Sequence, residues 1–236
     1  MNSPQKELGE YLEILIRNLR FAKAYQTQLN IINDWKFSNK FSAINTGSFF
    51  FLLVLNSFNN TILLELYKIT AKRENKNIID WLTKAKSNSS ALILKQLKPY
   101  NGYEVIKASA FNSIVDKHLE KLTKVNKTIE NLQNRRDKFV AHTDNKYFAD
   151  SEKLFKDFPI SSEDISSLIE IIDSILHKHY SFFFQTDIDI NIYSTSNVDS
   201  ILRNVYAFNK IWQDSELVEK GFRPIDYLPK EKEILY

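Results

Sequence analysis

Apolar residues recur at helical spacing along most of the chain. Near its start they alternate steps of four and three residues, which gathers them on one face of a helix. They are Leu8, Leu12, Leu15, Leu19 and Ala22. A second segment, 48–72, is apolar nearly all round at its start and amphipathic later, which is typical of a helix that runs through the middle of a core. We therefore predict helices over 8–29 and 48–72.

Three further helices are indicated by apolar clusters and capping signals. The cluster at 78–82 predicts a short helix, and the polar residues 84–90 predict a loop after it. Ser161 and Asp164 match the capping-box pattern, so a helix with a long apolar face is expected to begin there. One more short helix is predicted over 197–213.

The longest helical pattern covers residues 104–141, which contain neither glycine nor proline. The proline and the Asn-Gly pair within 98–102 predict a turn before it. After residue 185, polar and apolar residues alternate, which predicts a short strand or an extended arm. The prolines and aromatics of 221–236 predict a tail that lies on a surface.

These elements indicate an all-α protein. The chain has 4 glycines and 5 prolines, too few for the tight turns of a many-stranded sheet. We predict an up-and-down helical bundle over residues 1–185, with a long motif-bearing helix, and a C-terminal extension over 186–236.

Composition narrows the classes of function. Hydrophobic residues make up 43% and charged residues 26%, as in a folded protein rather than a disordered one. A net charge of +3 disfavours an extended, non-specific grip on nucleic acid, so any such contact is expected to be local. The chain has no cysteine, which removes disulfides and thiolate metal sites.

The chain is expected to be cytoplasmic and not to enter a membrane. Its first residues are polar and acidic, unlike a secretory signal. The most apolar run, 49–55, is broken at Asn56 and falls short of the ~20 residues that a membrane helix needs.

A charged residue interrupts the apolar stripe of the long helix. Arg136 stands between Leu132 and Phe139, where a core residue is due, and a charge there requires a partner, a cavity or a subunit interface. On a regular helix Arg136 and His142 are each rotated ~60° from Phe139, so both border one face. Arg135 points in nearly the same direction as His142 and is a further candidate for binding the phosphate of RNA.

These residue types suit RNA cleavage without a metal. An imidazole with a pKa of ~6.5 can exchange a proton near neutral pH, and a guanidinium binds phosphate and its developing charge through a planar fork. Asp137 is placed to orient Arg136 or the imidazole, and Lys138 to attract phosphate. The structural alternative is that a helix C-terminus favours cations whether or not they act on a ligand.

Other candidates have simpler interpretations. Lys146 and Tyr147 follow the motif closely enough to line the same cleft. His177 and His179 are two residues apart and do not face each other, so no metal site is predicted. His118 is expected to face solvent or to be half-buried. The aromatic residues of 180–184 are expected to pack rather than to stack on bases.

The segment RDKFVAHTD, residues 136–144, resembles the HEPN superfamily, whose mark is an arginine followed four to six residues later by histidine. It is most similar to the AbiU-type abortive-infection branch, with its RDK-x-x-AH-x-D core. The resemblance includes the order of the helices and spans about residues 8–185.

This resemblance implies a bundle that homodimerises, with two copies of the motif meeting across the interface. It further implies a cofactor-free, metal-independent endoribonuclease in which the ribose 2′-hydroxyl is the nucleophile, His142 transfers a proton and Arg136 binds the scissile phosphate. Such a protein would be a toxin or effector in bacterial phage defence, with an RNA substrate and an antitoxin or second defence component as partners. The alternative is a non-catalytic module of the same type that binds RNA or protein.

Overall fold

The structure is a computed structural model that describes residues 3–71, 76–97, 102–141, 151–191, 197–213 and 219. Its helices are α1 Pro4–Lys36, α2 Ser42–Asn45, α3 Ser48–Thr70, α4 Ile78–Ser87, α5 Ala108–Lys124, α6 Asn126–Arg135, a π-helical segment Arg136–Ala141, α7 Ser151–Asp157, α8 Ser162–Phe184 and α9 Val198–Gln213. A 3₁₀ turn, Ser89–Ala91, and two short strands, β1 Lys95–Leu97 and β2 Tyr103–Val105, complete the described elements. The all-α class is confirmed.

The chain forms two compact units. Unit 1 contains residues 1–25 and 60–192, and unit 2 contains residues 26–59 and 193–236. The predicted division at residue 185 stays a prediction, and α9 belongs to the same unit as residues 26–59.

The core of unit 1 is organised by the first helix. The apolar stripe predicted for it is buried throughout, from Leu8 to Ala22. The buried indole of Trp81 donates a hydrogen bond to the Leu8 carbonyl at 2.8 Å, and the Tyr11 hydroxyl donates to the Asn77 carbonyl at 2.8 Å. Because these polar groups are paired where water is excluded, they fix α4 against α1.

The region before the motif-bearing helix differs from the prediction. Instead of helix, Tyr103–Val105 pairs with Lys95–Leu97 in an antiparallel hairpin, and α5 begins only at Ala108. The predicted loop at 84–90 is also partly wrong, because α4 continues to Ser87.

The long helix is broken at Val125, whose backbone (φ −106°, ψ 14°) leaves the helical region. The apolar spacing continues across the break, because Leu122, Ile129 and Leu132 are all buried on one side. The spacing of apolar residues therefore could not predict the break at Val125.

A second departure from the predicted regular helix follows at Arg136, where the helix widens to hydrogen bonds of the i→i+5 type. Each residue then turns by less than the ~100° of an α-helix, so the predicted angles around Phe139 do not apply.

The helix α8 follows its prediction closely. The Ser161 side chain accepts a hydrogen bond from the Asp164 backbone N–H at 3.0 Å, and the Asp164 carboxylate accepts from the Ser161 backbone N–H at 2.8 Å. This is the predicted capping box. At the other end Phe182 and Phe183 are buried and pack as expected, whereas Phe184 is 37% exposed.

A pair of buried histidines joins α5 to α8. Nδ1 of His118 lies 3.0 Å from Nε2 of His179, and the two residues are 8% and 0% exposed. The expectation that His118 faces solvent or is half-buried is wrong: its spacing with Phe111, Val115 and Leu122 puts it on the buried face of α5. Burial, aided by Lys121 and Lys178, lowers the pKa of His118 to about 4, and burial lowers that of His179 well below its usual value.

Unit 2 has its own small core. It consists of Ile32, Trp35, Ala43, Ile44, Phe51 and Leu202. The Trp35 indole donates a hydrogen bond to Asp199 at 2.8 Å, which ties α9 to the end of α1. Hydrogen bonds from Arg203 and Trp35 lower the pKa of the Asp199 carboxyl. The predicted helix at 197–213 is thus confirmed as α9, while the predicted tail at 221–236 lies outside the described residues.

The N-terminal half of α3 is exposed, contrary to the prediction of a core helix. Its residues Phe49, Phe50, Leu52 and Leu53 are 71%, 62%, 52% and 50% exposed. By length and composition alone α3 could cross a membrane, and only 22% of its most apolar window is buried. The asparagines at 56, 59 and 60 therefore do not shorten the apolar helix as expected.

The histidine pair predicts a loss of stability in mild acid. Unfolded histidines bind protons below a pKa of ~6.5, whereas in the folded protein the pKa of His118 is lowered to about 4 and that of His179 is lowered as well. Since the unfolded state then holds more protons, the free energy of unfolding falls as the pH drops through this window. For His118 alone we expect a loss on the order of 2 kcal/mol at about pH 5 relative to neutral pH.

Urea unfolding at both pH values measures this loss. His179→Gln, which keeps an amide donor near Nε2 but does not titrate, should reduce the pH dependence. The matched control is His177→Gln, because His177 lies on the same helix with its side chain 47% exposed. An equal effect of the two substitutions on the pH dependence of stability would contradict its assignment to the buried histidine pair.

Candidate functional site

The motif begins where α6 becomes π-helical. Arg135 is the last residue of α6, and Arg136, Asp137 and Lys138 form the start of the widened segment. His142, Lys146 and Tyr147 lie outside the described residues. The part of the site that the structure describes consists of Arg135, Arg136, Asp137 and Lys138.

Arg136 contacts an aromatic ring and a carboxylate. Its guanidinium carbon lies 4.5 Å from the centroid of the Tyr67 ring, and Nη1 donates a hydrogen bond to Oδ1 of Asp137 at 3.0 Å. Tyr67 is buried in α3, whereas the Arg136 side chain is 31% exposed. The charge in the apolar stripe is thus stabilised by a ring and a neighbouring acid, and part of it remains accessible to a ligand.

Arg135 turns to a different neighbour. Its Nε donates a hydrogen bond of 2.7 Å to the Phe158 carbonyl, and its guanidinium carbon lies 4.9 Å from the centroid of the Phe155 ring. Burial lowers the pKa of this guanidinium, although an arginine remains charged at neutral pH. Arg135 therefore holds α7 and the residues after it against α6.

Asn131 and Lys138 also contact the residues that follow α7. The Asn131 amide donates to the Pro159 carbonyl at 2.7 Å, and the Lys138 ammonium lies 5.8 Å from the centroid of the Phe158 ring. Asn131 is buried, and no hydrogen-bond partner of its Oδ1 occurs among the described residues. These contacts fix the backbone from which Arg136 and Asp137 project.

Tyr67 and Asn131 are parts of this site that the sequence interpretation missed. Tyr67 belongs to the apolar face near the end of α3, and nothing in its spacing distinguishes it from a core tyrosine. Asn131 carries a weak signal, because it is a polar residue beside Leu132 on a buried face.

The arrangement can bind an anion and stabilise negative charge. Arg136 is oriented from two sides, and a carboxylate beside it limits the conformations that it can adopt. In the described part of the chain, no group of three or more His, Cys, Asp or Glu side chains is close enough to hold a metal ion.

The chain matches a family model of one class of proteins, the HEPN superfamily. Within that class, residues 12–203 match the family AbiU2, and since this is most of the chain, the protein belongs to that family. The match extends past the resemblance seen at residues 8–185 and into α9. No curated protein and no solved structure matches the chain. Membership indicates an HEPN module associated with abortive infection.

The two arginines should differ in their effect on stability. Arg135→Ala removes a charged donor from a partly buried carbonyl and should lower the free energy of unfolding by about 2–3 kcal/mol. Arg136→Ala removes a cation–π contact and a partly exposed ion pair, for which we expect about 1 kcal/mol. Urea unfolding of the two variants measures the difference, and equal losses would contradict this division of roles.

Proposed function

We propose that this protein is a metal-independent endoribonuclease of the HEPN type that acts as a toxin or effector in bacterial phage defence. The observation that carries the proposal is the placement of Arg136, which is fixed by Tyr67 and Asp137 yet partly exposed. Arg136 places a charge at a position where the helix would otherwise have a core residue, and the binding of a phosphate would account for that charge.

The proposed reaction is attack by the ribose 2′-hydroxyl on the adjacent phosphorus. The new bond joins the 2′-oxygen to phosphorus, and the bond to the 5′-oxygen of the next nucleotide breaks. The 2′-hydroxyl gives up a proton and the departing 5′-oxygen gains one, with His142 as the proton-transfer group. Arg136 binds the phosphate and stabilises its added negative charge, and Asp137 orients Arg136.

The remaining predicted residues have supporting roles. Lys138, Lys146 and Tyr147 are proposed to contact the RNA backbone near the motif. Arg135 is reassigned from phosphate binding to holding the segment at Phe158, because its Nε is engaged there. The proposal requires no cofactor and places the protein in the cytoplasm, with RNA and an antitoxin or second defence component as partners.

The proposal predicts cleavage products with a 2′,3′-cyclic phosphate and a 5′-hydroxyl, formed in the presence of a metal chelator. Single-stranded RNA should be cleaved and DNA of the same sequence should not. Once the cleavage position is mapped, one 2′-deoxy substitution there should abolish the cut. Arg136→Ala and His142→Ala should each lower the rate by about 100-fold or more.

The matched control is His177→Gln, a histidine outside the motif, which should cleave as the unchanged protein does. Expression of the protein should slow bacterial growth, and Arg136→Ala should relieve this effect. If the folded protein cleaves no RNA, or if His142→Ala cleaves normally, the catalytic proposal is wrong and the non-catalytic binding module becomes the better interpretation.

We also propose that the protein is a homodimer. The exposed apolar residues of α3, Phe49, Phe50, Leu52 and Leu53, form a surface that is unusual on a monomer. A second copy can cover such a surface with the same residues, as in a two-fold symmetric interface. The resemblance to the HEPN superfamily independently implies a homodimer.

The homodimer can be tested by sedimentation of the purified protein. Phe50→Asp and Leu53→Asp should each shift the protein from dimer to monomer, because a buried unpaired carboxylate strongly disfavours the interface. The control is Ile201→Asp, an exposed apolar residue on α9, which should leave the dimer intact. A monomeric unchanged protein would refute the proposal, and flotation with lipid vesicles would instead indicate a membrane contact of α3.

A further inference from the structure

A cavity of about 350 Å³ lies between α5 and α8, away from the motif in sequence. It is lined by Ile114, Lys117, His118, Lys121, Ser174 and Lys178. None of these residues belongs to the arginine-histidine motif. The cavity is open to solvent, because Lys117, Lys121 and Ser174 are exposed, and its volume is that of a small-molecule site.

The lining carries three ammonium groups and no carboxylate. Three acids on α5 and α8 pair with lysines outside the lining: Asp116 with Lys86, Glu120 with Lys124, and Asp173 with Lys23. Within the described ranges, no ion pair is formed by Lys117, Lys121 or Lys178, although the Lys178 ammonium lies 4.8 Å from the Phe182 ring centroid. Cations grouped in a concave site without counter-ions create a local positive potential.

The buried histidine pair gives the cavity a further donor. Nδ1 of His179 is buried and no hydrogen-bond partner for it occurs in the described part of the chain. Since a buried N–H without a partner is rarer than a buried acceptor without one, we assign the proton of His179 to Nε2, from which it is donated to Nδ1 of His118. The neutral His118 must then carry its own proton on Nε2. Its ring lines the cavity, and its free nitrogen is a donor rather than an acceptor.

Ser174 adds neither a charge nor a free donor to the cavity. Its hydroxyl donates a hydrogen bond to the Ile171 carbonyl at 2.9 Å and leaves only oxygen lone pairs for other contacts. The groups available to a ligand are therefore mainly cationic or neutral donors, and Ile114 supplies the apolar wall.

We propose that this cavity binds a small, multiply charged phosphate compound, of the diphosphate or triphosphate class. Three lysines match the charge of such a group, and the N–H of His118 can donate to a phosphate oxygen. The modest charge of the whole chain, +3, argues against an extended nucleic-acid surface here. The site is independent of RNA cleavage, because it shares no residue with the motif.

Calorimetric titration of the full chain with inorganic phosphate, pyrophosphate and triphosphate tests the proposal. Affinity should rise with the number of phosphates. Lys121→Gln and Lys178→Gln should each weaken triphosphate binding by about tenfold, as the loss of one charged contact predicts. The matched control is Lys124→Gln, on the same helix as Lys121 and ion-paired with Glu120 outside the cavity, which should bind normally.

Thermal unfolding without ligand shows that each variant is folded before it is titrated. The proposal is overturned if neither pyrophosphate nor triphosphate binds, or if Lys124→Gln weakens binding as much as Lys121→Gln does. It is also overturned if a short RNA binds with the same dependence on Lys121 while triphosphate does not, because the site would then belong to RNA. Failure of RNA cleavage alone would leave this result unaffected.

Discussion

The buried contact between His118 and His179 constrains how the helices of unit 1 pack. It joins α5, which leads through α6 to the motif, to α8. The rings of Trp81, Phe111 and Phe182 surround His179 with centroid distances of 4.8, 5.5 and 6.0 Å. In that setting only a neutral imidazole is tolerated, and it must have a polar partner. One hydrogen bond therefore fixes both the pairing of the helices and the protonation of a side chain that lines a basic cavity.

The regular parts of this fold could be predicted because they obey local rules. The stripe of α1, the capping box of α8 and the bounds of α9 depend on residues close together in sequence. The break at Val125, the hairpin before α5 and the partner of His118 depend on contacts between distant segments. The exposure of Phe49 and Phe50 shows the same limit: an apolar helix looks alike in sequence whether its neighbours cover it or not.

The candidate site shows how adjacent identical residues can be divided between stability and chemistry. Arg135 and Arg136 could not be ranked from sequence, because both suit phosphate and both follow the same helix. Their neighbours distinguish them, since one guanidinium reaches a backbone carbonyl and the other lies on Tyr67 beside an acid. The sequence predicted that Arg136 needed a partner at a core position, but the aromatic identity of that partner required the fold.

The π-helical segment Arg136–Ala141 has a consequence for how this motif can vary. A turn closed by i→i+5 hydrogen bonds holds one residue more than an α-helical turn. Deleting a single residue from it would restore the ordinary turn and leave the direction of the helix residues beyond it nearly unchanged. The same deletion in a regular α-helix such as α6 would rotate all later residues by ~100° about the helix axis. The number of residues in this segment can therefore change by one at little cost to the direction of the helix, so a one-residue deletion should be tolerated better here than in α6.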